Sequence, residues 1–213
     1  MASLPNIRYC GDFAKYIEAK DDKYDSVSFY KPAEYFSTTE SFTKFVKACE
    51  KTVRTIPDYK AFIAYLKNVM GLNFCQVSSQ IFDTDATIEM HHGPLFTLWD
   101  YVSIILAAEI ALGHKITTFR IADKVIQEHY DLHVQVVMLA ITNHEAVHNR
   151  DIFLNIKQGF GDVGAFIEKY KEYMSDNQKY RIMKYIDLCK ETESFDNNLF
   201  DLEKVSAVMQ KFD

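Results

Sequence analysis

Apolar positions recur at helical spacing through the first third of the chain. Phe42, Phe45, Val46, Cys49 and Val53 fall at i, i+3, i+4, i+7 and i+11, the stripe of an amphipathic helix. Ser37-x-x-Glu40 just ahead has the spacing of a capping box, which sets the predicted start. A second helix is predicted from Pro57-Asp58, with Phe62, Ile63, Leu66, Val69 and Met70 buried and Gly71 as its stop. The period then changes. Phe74, Gln76 and Ser78 alternate with Cys75, Val77 and Ser79, and Ile88, Met90 and His92 alternate with Glu89 and His91. With Asp83, Thr84 and Asp85 between the runs, this predicts two short strands in a hairpin. Helical spacing returns over 95–112 and about 118–130, the latter with Phe119, Ile121, Ala122, Val125 and Ile126 apolar. Val134 to Leu139 reads as a short strand or extended segment, and His144 to His148 as a helical turn. Helices follow over 162–174 (Val163, Phe166, Ile167, Tyr170, Met174) and 176–190, the second opened by Ser175-x-x-Gln178, with a short last helix after Asp201. The predicted fold is mostly α with a small β element (α+β). It divides into an N-terminal helical region 1–71, a central module 72–158 and a C-terminal helical region 159–213, which can also pack as one domain.

Composition narrows the function classes. The 213 residues are 48% hydrophobic and include 16 Phe and 13 Tyr, enough for a sizeable core; 7 Gly and 4 Pro leave few breakers and no linker. A net charge of −6 argues against a general nucleic-acid coat, whose affinity comes from Lys and Arg neutralising phosphates. Cys10, Cys49, Cys75 and Cys189 are scattered with no CxxC pair, so they read as reduced, buried thiols rather than zinc ligands. The start, MASLPNIRYC, lacks a basic segment followed by an apolar run, and the apolar stretch from Val102 to Leu112 is short and broken by Ser103 and Glu109. No leader and no membrane span are expected, which places the chain in the cytoplasm, or in a virion if it is phage-encoded.

The chemistry concentrates in histidines. Four of the seven fall into two pairs, His91-His92 at the end of a predicted strand and His144/His148 at i, i+4. On a helix that second spacing puts both imidazoles on one face, as two nitrogen ligands of one metal require. Consecutive strand residues point to opposite faces, so His91 and His92 cannot be equivalent ligands. Glu89 falls on the His91 face, where it can orient that ring or support the metal from behind its ligands. His114 is expected in an interhelical loop and His133 away from the site. Trp99 and Phe96 are expected to seal the core, and Gly159-Phe160-Gly161 to form a turn.

The segment IEMHHGP (88–94) resembles the first half of an HNH, or ββα-metal, nuclease motif, and QVVMLAITNHEAVHN (135–149) resembles its second half. The resemblance implies His91, His144 and His148 as ligands of one divalent metal (Zn, Ni, Mn or Mg) and His92 as the general base. Gln135 stands at the family's Asn position, and Glu145 and Asn149 lie in the same motif as supporting residues. Ala140 and Asn143 occupy the two cysteine positions of the family's zinc knuckle, so that knuckle is absent. About 50 residues separate His92 from His144, so two helices form an insertion between the halves. The whole sequence also resembles proteins encoded by tailed bacteriophages.

The implied function is metal-dependent phosphodiester hydrolysis, on DNA rather than RNA. The metal would stabilise charge on the scissile phosphate, and a neutral imidazole titrating near ~6.5 would activate water. Arg150, Lys157, Lys169, Lys171 and the basic 179–184 stretch could wall the substrate, although such residues on helices are commonly solvated faces. Two other readings fit the same residues. A non-catalytic HNH-like structural or partner-binding protein of phage-assembly type, with protein partners, suits the acidic charge, the lost knuckle and the long insertion. His144-Glu145-x-x-His148 also satisfies HExxH, the zinc-protease helix. Its metzincin form needs a histidine where Leu154 stands, and other forms take a later glutamate, for which Glu168, Glu172, Glu191 and Glu193 are candidates.

Overall fold

The computed structural model describes residues 29–191, without the Glu191 side chain. The short helix expected after Asp201, and Cys10 and Glu193, lie outside the described residues. A 3₁₀ turn, Ala33–Ser37, leads into helices α1 (Thr39–Thr55) and α2 (Pro57–Asn68). Strand β1 (Ile88–His92), helices α3 (Leu98–Ala111) and α4 (Thr118–Tyr130), strand β2 (Val136–Ala140) and helix α5 (Ile141–Asn149) follow. Helices α6 (Val163–Tyr170) and α7 (Asp176–Glu191) complete the order, with 3₁₀ turns at Ile156–Gln158 and Lys171–Tyr173. This is the expected mostly-α arrangement around a two-stranded antiparallel sheet. The chain forms two compact units that alternate along the sequence.

Among the described residues, the first unit comprises 29–62, Leu98–Asp131 and Tyr170–Met174. In α1 the predicted stripe is buried at Phe45, Val46, Cys49 and Val53. The cap is Thr38 rather than the expected Ser37: its hydroxyl accepts from the Ser41 amide at 3.2 Å. α1 packs on α3 and α4. α3 is buried nearly all round, and its Glu109 lies inside. That carboxylate is paired: Glu109 Oε2 accepts from Arg120 Nε at 3.0 Å and meets His114 Nδ1 at 2.9 Å. Pairing is what lets a charge stay buried. Tyr170 Oη donates to Glu128 Oε1 at 2.8 Å. His129, fully buried, donates from Nδ1 to the Val125 carbonyl at 2.7 Å and sits edge-on to Tyr59 and Phe62. Phe119, expected on the apolar face, is 54% exposed instead.

Among the described residues, the second unit comprises Ile63–Thr97, Leu132–Lys169 and 175–191. Here the structure corrects the predicted hairpin. β1 pairs with β2, not with residues 72–79, in the register Ile88↔Ala140, Met90↔Met138, His92↔Val136. All five β2 residues are buried, so a short continuous apolar run is the true partner strand. The 73–83 segment turns on itself: Phe74 and Phe82 form an isolated bridge, and the Cys75 amide donates to the Ile81 carbonyl at 2.8 Å. Val69 and Met70, expected in the core, lie beyond the end of α2 and are exposed. The Ser175 capping box is present, with the Gln178 amide donating to Ser175 Oγ and the Ser175 amide to Gln178 Oε1. Phe96 is buried against Phe166, the rings 5.9 Å apart.

Candidate metal centre

β1, β2 and α5 all belong to the second unit, and α5 packs on both strands. Alternation along β1 puts Glu89 and His91 on one face and Ile88, Met90 and His92 on the other. α5 covers the Glu89/His91 face. It begins directly after Ala140, so the strand delivers the helix to the site with no intervening loop.

His91, His144 and His148 come together. Each offers a nitrogen within 4.8 Å of the others, and the ring centroids lie 4.7–5.1 Å apart. His144 Nε2 and His148 Nε2 are 3.1 Å apart. Two lone pairs at that separation repel unless a proton or a cation lies between them. Metal–nitrogen bonds of 2.0–2.1 Å at tetrahedral angles need nitrogens about 3.4 Å apart, so small ring rotations would complete a three-nitrogen set. Glu89 Oε2 accepts from His144 Nδ1 at 2.6 Å. A carboxylate only accepts here, so Nδ1 carries the proton and Nε2 turns its lone pair toward His148. Gly93 leaves room for His91: a Cβ at that position would lie 2.9 Å from His91 Nε2. Burial, reinforced by His144 and His148, pushes the His91 pKa down to about 4, which keeps the ring neutral as a ligand must be.

The remaining sequence-derived site residues are spread more widely. His92 is 6% exposed on the opposite face of β1. Gln135 is fully buried; its Nε2 donates to the Ile156 carbonyl at 2.9 Å, and its own carbonyl accepts from the Gly93 amide at 3.2 Å. It therefore ties the end of β1 to the 156–160 segment. Glu145 and Asn149 are exposed on α5. Among the described residues, the third ligand atom beside the His144/His148 pair is that of His91, not of a later glutamate.

Sequence reasoning missed Cys75. Its sulfur accepts from Asn143 Nδ2 at 3.1 Å and from the Ala140 amide. Positions 140 and 143, which the resemblance assigns to knuckle cysteines, thus converge on one sulfur from elsewhere. No local pattern in the sequence marks this role, because two of the donors come from 65 or more residues away.

In comparisons with known proteins, a family model described as bacteriophage G278-like virion protein matches residues 8–212. No curated protein and no solved structure matches the chain. The phage side of the resemblance is thereby supported, and its nuclease side gains nothing.

Proposed function

The chain belongs to the bacteriophage G278-like virion protein family, and from that premise we propose that it is a virion structural or assembly protein whose β1–β2–α5 module is pinned by one transition-metal ion. The observation that carries this reading is the convergence of three imidazole ligand atoms within 4.8 Å, two from a helix and one from a strand. α5 buries none of its nine residues and has no side-chain N-cap, so apolar packing alone holds it weakly. A metal joining His144 and His148 to His91 supplies a cross-link in place of a core. Three neutral imidazoles suit zinc or nickel better than magnesium, which prefers oxygen ligands. Other virion proteins are the partners this reading implies. No helix among the described residues is long and apolar enough to cross a membrane.

Nuclease activity is the second reading, favoured by one observation. His148 is exposed, so a bound metal would keep a face open to a phosphate oxygen. Against it, the residue assigned as base, His92, is buried on the other face of β1.

The test is elemental analysis of purified full-length protein with a nicking assay on supercoiled DNA in Mg, Mn, Ni or Zn. The structural reading expects about one equivalent of zinc or nickel in the wild type, loss of it in His144→Ala, and no nicking. Metal-free wild type that refuses added zinc would end the metal reading. Nicking abolished by His92→Ala would move the assignment to a nuclease.

A further inference from the structure

β2 pairs with β1 along one edge, and among the described residues its other edge is satisfied without a third strand. Val136 exchanges hydrogen bonds with Phe160, amide to carbonyl at 2.9 and 2.7 Å. Two residues on, the Met138 carbonyl accepts from the Gln76 amide at 2.8 Å, and the Met138 amide donates to Gln76 Oε1 at 2.6 Å. One glutamine thus serves both outward groups of Met138, and its Nε2 donates to the Gln158 carbonyl at 3.0 Å. Two residues further, the Ala140 amide donates to Cys75 Sγ.

That last contact lies where the strand becomes the helix. Ala140 is the N-cap of α5 and carries no capping side chain. Asn143, in the first turn and next to His144, donates from Nδ2 to the same sulfur at 3.1 Å. The Ser78 amide converges there as well. Burial raises the Cys75 thiol pKa, but hydrogen bonds from Ser78, Ala140 and Asn143 outweigh it and hold the group below the ordinary thiol value. The sulfur acts as an acceptor for helix-start donors, the task a serine or aspartate cap performs elsewhere.

We propose that Cys75 and Gln76 are positioning residues of the metal centre. Gln76 fixes β2 in place, and Cys75 fixes the start of α5, so together they set where His144 and His148 stand relative to His91. The consequence for metal affinity rests on the metal-centre reading; the anchoring of α5 does not.

The test uses the full chain with Cys75→Ala, Cys75→Ser, Gln76→Ala and Asn143→Ala, and Cys49→Ala as a control. Cys49 is equally buried, in the other unit, and its pKa is raised by burial. Two readouts are taken: amide hydrogen exchange of 141–149 in zinc-free protein, and zinc affinity by chelator competition. Cys75→Ala is expected to speed exchange over 141–149 about tenfold or more, because it orphans buried donors. It should also weaken zinc binding about 10–100-fold, the usual effect of removing support behind a ligand. Cys75→Ser, whose oxygen can accept the same donors, should restore most of both. Gln76→Ala should act first on 136–140. Asn143→Ala, at a half-buried position, gives a milder version of the α5 effect should Cys75→Ala not fold. Unchanged exchange over 141–149 in Cys75→Ala, or in Asn143→Ala if that is the variant that folds, overturns the proposal. So does equal acceleration by Cys49→Ala, which would make the effect general destabilisation. Faster exchange in a protein whose wild type binds no zinc would sink the metal reading and leave the anchor standing.

Discussion

Glu89 shows how much one side chain decides here. Its carboxylate fixes the proton of His144 on Nδ1, so the free lone pair on Nε2 faces the other imidazoles. Glu89→Ala should weaken zinc binding about 10–100-fold, while Glu89→Gln, whose amide oxygen still accepts, should lose less. Chelator-competition titration measures both, and equal affinities for wild type and Glu89→Ala would exclude the orienting role. Gly93 contributes by what it lacks. Gly93→Ala places a methyl group 2.9 Å from His91 Nε2, on a backbone with φ +154°, so zinc affinity should fall although no ligand is removed. Isothermal titration of Gly93→Ala with zinc checks this; wild-type affinity would show that His91 binds through its other nitrogen or not at all. The His-His doublet and the i, i+4 pair were legible in the sequence because each is a local pattern. Gly93 and Cys75 were not, because their roles depend on what the fold brings to them.

At the scale of elements, α5 is the dependent piece. It has two and a half turns, buries no residue and starts without a side-chain cap, and helices this short are marginal in water. If zinc bridges it to β1, stability must follow zinc concentration by mass action, gaining about 4 kcal/mol at 1,000 times Kd. Thermal melts across a zinc series should therefore show a rising Tm in wild type and a flat one in His148→Ala. A wild-type melt indifferent to zinc would remove the bridge. The helices themselves were readable: α1, α2, α4 and α7 fall close to where apolar period and capping signals put them. The sheet was half readable. β1 alternates and announced itself; the apolar run of β2 also read as a strand or extended segment, but, buried on all sides and without alternation, it gave no sign of being the partner of β1. The 74–79 run alternates in sequence, yet Gln76 meets Met138 with one backbone and one side-chain bond and Cys75 meets Ala140 through its sulfur, so no strand ladder forms. Period alone cannot distinguish an edge loop that borrows strand hydrogen bonds from a strand.

For the molecule as a whole, pH offers a probe of the fold that is independent of any metal. His129 in the first unit is fully buried among Tyr59, Phe62 and the α4 backbone. Burial pushes its pKa down to about 4, opposed by its hydrogen bond to Val125 and by Glu128. The unfolded chain takes up that proton near ~6.5, and the folded one only near 4, so the unfolded state binds more protons in between. Stability from keeping His129 neutral is thus complete above about pH 6.5, falls as pH drops, and is spent by about pH 4. The shift corresponds to about 3 kcal/mol. Urea melts at intervals from pH 7 to 4 should show a loss of that order in wild type. His129→Phe keeps a ring against Tyr59 and Phe62 but has no proton to gain, so its stability should decline less over the same range. Parallel pH profiles for the two proteins would mean that the acid response belongs to other groups, and that His129 is protonated in the folded state without cost.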